Sequence, residues 1–397
     1  MPTAPKPSPL PKTILCLMLL TLSAVASGRQ PQKFLVFDYH IQPAWIKAHA
    51  GEYVFVWGAS QETVSVFQEF SPGTQLSTYF PYMRDPNPAT TLTEWQAKHP
   101  TWVVYHCDGK TPVLPYNDKN ITLDTNNPSV VQWQIENFLS GTTLTKTAAL
   151  DNVQFRNDIG VCGIRSADRG FVRRYSGEVV DRQFADDVAN WVEKVAASLR
   201  QHGIRVVVNH IPDASFVGGY PAANVDFPPT QQLVAAVDGI VEEHSNLILR
   251  NPVVARSVFR LADYVASKHK WMYFIYQMNP LDERTAESAM ASYLIMTSPF
   301  SAVFLSSRDA TYGSAPDFFG YDRDIGTACG ASEHNGLFTR TFTGGMAIFA
   351  LPDGTQRTVT VPAGYEAVDG KPAPSTLTLK PGAGLVLYRQ GKAHCAG

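Results

Sequence analysis

The sequence has little charge. Lys, Arg, Asp and Glu make up 17% of its 397 residues, and the formal net charge is -2. No long basic run occurs, which argues against nucleic acid as a partner. Cysteine is scarce, at five residues, and none of it forms C-x-x-C. Metal binding by cysteines at such spacing is not expected. The usual glycine signatures are missing too. No G-x-G-x-x-G follows the first apolar run, no G-x-S-x-G is present, and no phosphate-binding loop occurs. Dinucleotide binding, serine-hydrolase chemistry of the elbow type and P-loop chemistry therefore lack their supports. H-E-x-x-H is absent as well, and no metal or other cofactor is expected.

Long apolar runs are also wanting. The longest, Ile14 to Ala26, is only 13 residues and follows Lys6 and Lys12. A membrane span needs about 20. The run closes in Ala24-Val25-Ala26, a small-x-small pattern, so residues 1–26 read as a cleavable signal peptide. The expectation is a secreted or periplasmic protein with no membrane contact after cleavage. Cys16 would leave with the signal. Cys107, Cys162, Cys329 and Cys395 remain, enough for two disulfides in any of three pairings. Asn120-Ile121-Thr122 is a glycosylation sequon.

What is present is apolar and aromatic. Hydrophobic residues make up 44% of the chain, with 7 Trp and 16 Tyr. Eight short apolar runs read as strands: Phe34–Asp38, Tyr53–Trp57, Gln75–Phe80, Ala148–Val153, Arg205–His210, Ala235–Val241, Trp271–Tyr276 and Ala302–Leu305. Their near-continuous hydrophobicity suits parallel strands buried on both faces. Helical patterns lie between them, at Ser129–Leu139, Asp181–His202, Asn251–Lys270 and Glu283–Met296. Eight strand–helix units argue for an α/β fold of the (β/α)₈ TIM-barrel type rather than an open doubly wound sheet. Near residue 330 the pattern changes to short alternating strands: Gly336–Phe342, Met346–Leu351, Arg357–Val361, Ser375–Leu379 and Gly384–Tyr388. The expected organisation is a barrel over 27–330 and a small antiparallel β-sandwich over 331–397.

Such a barrel carries its chemistry at the C-terminal ends of its strands. Asp151 stands at the end of the fourth, and Glu242 and Glu243 just after the sixth. Two carboxyl groups facing one pocket are what glycoside hydrolysis needs, one to donate a proton and one to act as nucleophile or base. Asp151 and Glu243 are the candidate catalytic pair, with Glu242 left open as the alternative acid. Asp38, Tyr79, Asn152, Asn209 and Gln277 are candidate substrate-binding residues. His40, His106 and His210 also fall near strand ends, without metal spacing, and read as pocket or structural histidines.

Four segments resemble the bacterial glycoside hydrolase-like barrel families, especially the one numbered fifteen, and more distantly the endo-α-1,4-polygalactosaminidases. They are Leu123-Asp124-Thr125-Asn126-Asn127-Pro128 with Val131 and Trp133, then Leu150-Asp151-Asn152-Val153, then Val237 to Glu243, and Gly336 to Gly345. The resemblance implies a strand-four Asp as nucleophile and a strand-six Glu as general acid/base, here Asp151 and Glu243. His244 departs from the aromatic or Gly that often follows the Glu in that group. The function expected is hydrolysis of O-glycosidic bonds in an extracellular polysaccharide or glycan. The alternatives are a catalytically silent sugar-binding barrel using Trp57, Tyr79 and Tyr276, or a transglycosylase.

Overall fold

The computed structural model describes residues 31–81, 83–84, 90–115, 121–141, 145–166, 168–210, 225–307, 312–391 and 394–395. The signal segment and Asn120 lie outside them. The first twelve strands are β1 (Lys33–Val36), β2 (Tyr53–Trp57), β3 (Gln75–Leu76), β4 (Thr78–Pro81), β5 (Val104–Tyr105), β6 (Thr147–Val153), β7 (Gly163–Ser166), β8 (Gly170–Arg173), β9 (Arg205–His210), β10 (Gly239–Glu242), β11 (Trp271–Met278) and β12 (Ser301–Ser307). The helices are α1 (Pro43–Ala48), α2 (Gln61–Phe70), α3 (Leu92–Lys98), α4 (Pro128–Gly141), α5 (Arg182–Gln201), α6 (Pro228–Ala236), α7 (Pro252–Ser267) and α8 (Glu283–Met296).

Nine strands form one parallel sheet in the order β3-β2-β1-β12-β11-β10-β9-β6-β4. Its two end strands are separated in the chain by Ser77 alone. Ser77 donates its N–H to Val56 O at 3.1 Å and accepts from Ala59 N–H at 2.8 Å, so bonding to the β2 segment carries across the break. The sheet thus comes back on itself. Side chains alternate across it with period two. Phe34, Val36, Phe55, Trp57, Ala149, Val207, Val241, Tyr273, Ile275, Ala302 and Phe304 fill the inside. Their neighbours Leu150, Val206, Val208, Ile240, Phe274, Val303 and Leu305 face out and pack under the helices.

The helices begin where local chemistry starts them. Asp181 caps α5 by accepting from Phe184 N–H at 3.0 Å, and Gly203 follows its end at φ 70°, the left-handed region glycine tolerates best. Asp282 and Thr285 make a reciprocal capping box at α8. One sequence reading fails here. Ala235 and Ala236 end helix α6, and the strand expected from Ala235 starts at Gly239. A short apolar run does not by itself separate a buried helix turn from a strand, and Pro228 and Pro229 start a helix that runs through it. The sequence also gave no sign of the small antiparallel sheet of β5, β7 and β8. It is tied by the Cys107–Cys162 disulfide, with Cα atoms 4.9 Å apart.

The C-terminal strands are β13 (Ala328–His334), β14 (Leu337–Phe342), β15 (Gly345–Ala350), β16 (Arg357–Thr360), β17 (Tyr365–Glu366), β18 (Thr376–Leu379) and β19 (Gly384–Arg389). They form a five-stranded and a two-stranded antiparallel sheet. In the larger sheet Ala347, Phe349, Val386 and Tyr388 face the helix layer of the barrel. Met346, Ile348 and Leu387 face Val359 and Leu379 of the smaller one. The seam with the barrel is tight. A Cβ on Gly384 would lie 2.4 Å from Ala291 Cβ and 3.0 Å from Ser288 Cα of α8, so only glycine fits there. Cys329–Cys395 closes this region, with Cα atoms 5.4 Å apart.

Candidate active site

A pocket of about 290 Å³ opens at the C-terminal ends of the parallel strands, lined by Phe37, Tyr39, Trp57, Tyr79, Asp151, Asn209, Glu243 and Tyr312 with Val36, Val241 and Ile275. Its carboxylates arrive there through strand geometry. In β6, Ala149 faces in and Leu150 faces out, so Asp151 faces in. Next the ladder slips. Leu150 pairs with Val208 but Val153 pairs with His210, so Asp151 and Asn152 together oppose Asn209. This is a β-bulge, which re-aims side chains at a strand end. Asn152 absorbs it in the left-handed region, at φ 58°.

The same alternation separates Glu242 from Glu243. Val241 faces the inside, Glu242 therefore faces out, and Glu243 faces in. Glu242 is 0% exposed and takes the hydroxyl of Ser245 at 2.7 Å and the N–H of His244 at 3.0 Å. Burial pushes its carboxyl up to about 8. Behind the wall it has no access to the pocket. Glu243 lines the pocket and Glu242 does not.

Asp151 and Glu243 meet at one amide. Asn209 Nδ2 donates to Asp151 Oδ1 at 2.8 Å and to Glu243 Oε2 at 2.6 Å. The two acceptor oxygens are therefore no further apart than these bonds laid end to end. Asp151 Oδ2 also accepts from Tyr79 Oη at 2.6 Å and Asn152 Nδ2 at 2.5 Å. Arg84 donates to Tyr79 Oη at 2.8 Å and lies 3.8 Å from Asp151. Burial raises the Asp151 carboxyl above its ordinary range, the bonds from Tyr79 and Asn209 pull it back, and the neighbouring Glu243 pushes it up again. Glu243 Oε1 accepts from Tyr312 Oη at 2.7 Å. Burial and the nearby Glu243 hold the Tyr312 phenol far above its usual value, so it stays a donor.

The other expected residues divide. Tyr79, Asn152 and Asn209 join the cluster. Asp38 does not reach it. Phe37 sits at φ 56°, which reverses the strand alternation and puts Phe37 in the pocket and Asp38 against α2. Asp38 is 1% exposed, and its oxygens take Ser60 N–H at 2.9 Å and the Thr63 hydroxyl. It is a helix-start acceptor and is not among the pocket-lining residues. Gln277 continues the inward face of Tyr273 and Ile275 but is not among the pocket-lining residues. Trp57 lines the pocket, whereas Tyr276 is 0% exposed on the outer face and bonds Ser292 of α8 at 2.7 Å. His210 is buried with Nδ1 3.0 Å from Val153 O, and His106 Nδ1 lies 3.1 Å from Gly160 O, both structural placements. Among the described residues no group of His, Cys, Asp and Glu is arranged to hold a metal ion.

Sequence reasoning missed Tyr312, Arg84 and the rim ring Tyr39. Tyr312 follows β12, where no motif marks it. The next residue explains its placement. Gly313 donates to Val36 O at 2.9 Å and accepts from His40 N–H at 3.2 Å, so the end of the barrel chain is stitched to its beginning. Tyr39 is 60% exposed and stacks on Phe37, ring centroids 5.0 Å apart.

No family model matches the chain, and no curated protein matches it. Among solved structures it is similar to an α-amylase from Lactobacillus plantarum, at 12% identity and TM-score 0.47, over 89% of this chain and 98% of that one. An α-amylase from Geobacillus thermoleovorans gives 10% identity and TM-score 0.45, over 91% and 99%. The α-galactosidase AgaB from Geobacillus stearothermophilus gives 10% and 0.47, over 91% of this chain and 55% of that one. These are not polygalactosaminidases.

Proposed function

We propose that this protein is a retaining glycoside hydrolase acting on an oligosaccharide or polysaccharide outside the cytoplasm. The observation that carries the reading is the single amide, Asn209 Nδ2, bonded at 2.8 and 2.6 Å to the carboxylates of Asp151 and Glu243. Carboxyl groups about 5–5.5 Å apart suit double displacement, whereas inversion needs about 6.5–9.5 Å to seat a water between them. Two oxygens bonded to one amide nitrogen leave little room for an intervening water, which supports the shorter range.

In the reaction, the ionised Asp151 attacks the anomeric carbon while Glu243 gives its proton to the leaving glycosidic oxygen. The sugar is then esterified to Asp151. Water enters, Glu243 takes one of its protons, and the hydroxide attacks the same carbon and frees Asp151. Two displacements restore the starting configuration. Bonds from Tyr79, Asn152 and Asn209 favour the ionised nucleophile. Tyr312 and Asn209 fix the Glu243 carboxyl in place. Phe37, Trp57 and Tyr39 supply ring surface for sugar faces.

This reading takes Gln75–Pro81 as one strand, which makes the parallel sheet an eight-stranded (β/α)₈ barrel, with the C-terminal sheets as a separate small β-sandwich. The proposed export fits two disulfides, Cys107–Cys162 and Cys329–Cys395. Among the described residues no helix is long and apolar enough to cross a membrane. The test is to incubate the mature protein with α- and β-linked 4-nitrophenyl glycosides and oligosaccharides, and to follow the first-formed sugar by proton NMR. Product of the substrate's own anomeric form is expected. The opposite anomer would replace retention with inversion, and no cleavage of any substrate would remove the hydrolase reading.

A further inference from the structure

We propose that Arg84 is a positioning residue: it fixes the direction of the Tyr79 hydroxyl and through it holds Asp151 ionised. The inference rests on the reading of Asp151 as nucleophile. A phenol has one proton and can donate or accept. Arg84 can only donate, and its bond occupies the acceptor side of Tyr79 Oη at 2.8 Å. The single Tyr79 proton is thereby turned toward Asp151 Oδ2, 2.6 Å away. Arg84 and Asp151 side chains are each 16% exposed, and their 3.8 Å separation lets the guanidinium act on the carboxylate through little water. Burial holds the Tyr79 phenol well above its ordinary value, so it remains a neutral donor across the working range.

The cation is itself anchored. The backbone of Arg84 bridges Thr122, and Leu123 N–H donates to Met83 O at 2.9 Å. Thr122 and Leu123 are both fully buried. The segment before α4 therefore aims Arg84 at the pocket wall from outside it, since Arg84 is not among the pocket-lining residues. Among the described residues, the groups that face Asp151 are Tyr79 from β4 and Arg84 after it, Asn152 from its own strand, Asn209 from β9, Glu243 after β10 and Tyr312 after β12. Among the described residues Arg84 is the cation that faces Asp151, so its loss removes that positive charge and leaves the Glu243 carboxylate opposing it.

The test is the titration midpoint of the Asp151 carboxyl carbon, read by carbon-13 NMR and assigned by difference with Asp151→Asn. Arg84→Met is expected to raise the midpoint by about one pH unit, and Tyr79→Phe by a similar amount. The double variant is expected to show less than the sum, because part of the Arg84 effect passes through the hydroxyl that Tyr79→Phe removes. Arg84→Lys, which can still donate to Tyr79, is expected to restore most of the shift. In turnover, the acid limb of kcat/KM moves to higher pH by the same amount. An unmoved midpoint in Arg84→Met, or fully additive effects of the two single variants, overturns the proposal. If the wild type cleaves no glycoside, the hydrolase reading falls, while the NMR titration still decides the role of Arg84.

Discussion

Glu242 and Glu243 are adjacent in the chain, and the sheet wall runs between them. On the outer side, Glu242 is fully buried, takes two hydrogen bonds from its own turn, and is pushed up to about 8. On the inner side, Glu243 shares Asn209 with Asp151 and takes a further bond from Tyr312. The outer carboxyl belongs to the core and is held protonated at neutral pH. The inner one stands at a pocket among groups drawn from four different strands and their ends. The difference shows that a residue type has no fixed role. Facing and partners assign it.

Four measurements sharpen or break this contrast. The largest effect is expected inside. Asp151→Asn and Glu243→Gln should each lower kcat by about 10²–10⁴-fold or more on substrates with poor leaving groups, while Glu242→Gln should stay within a few-fold of wild type. Comparable losses from Glu242→Gln and Glu243→Gln would erase the distinction. Tyr312→Phe should be next. It removes one of the two bonds that the described residues make to the Glu243 carboxyl, and kcat/KM is expected to fall about 10- to 100-fold, with no change in melting temperature beyond a few degrees.

The outer side is expected to show in stability instead. Glu242 carries a folded value of about 8 against an ordinary value of 4.5. Between these the folded state binds more protons than the unfolded one, so stability falls as pH rises through that window. Denaturant unfolding at pH 4.5 and pH 8 should differ by on the order of a few kcal/mol from this group, and Glu242→Gln should flatten the profile. Unchanged slopes in the variant would show that Glu242 is not the group responsible. The smallest effect concerns Glu287, at the seam between α8 and β19. It accepts from Val386 N–H at 3.1 Å, and burial pushes it up to about 7. The sign is the same, over roughly pH 4.5 to 7, and Glu287→Gln should remove about 1 kcal/mol of pH dependence.

The parallel strands and long helices were largely legible in the sequence, because continuous apolar runs and helical periodicity are local. Helix α8 was read from its periodicity at its full extent, Glu283–Met296, and in the structure Asp282 and Thr285 cap its start. Asp151 and Glu243 were legible as acidic groups at strand ends. Asp38 was misread for a local reason that one sequence hides, since nothing in Phe37 announces a left-handed backbone. Arg84 and Tyr312 were invisible because they reach the site from loops, and loops carry no period.

The sequence by itself determined the alternation of strand and helix, the change to short antiparallel strands near residue 330, and which acids lie at strand ends. These follow from hydrophobic pattern and turn chemistry, which act over a few residues. Only the tertiary structure decided which face each acid takes, where the bulge at Asp151 and Asn152 falls, and which cysteines pair. It also decided that one amide should join two carboxylates from β6 and the end of β10. Those outcomes depend on ladder register and sheet closure, which bring Asn209 to Glu243 across 34 positions of sequence and to Asp151 across 58.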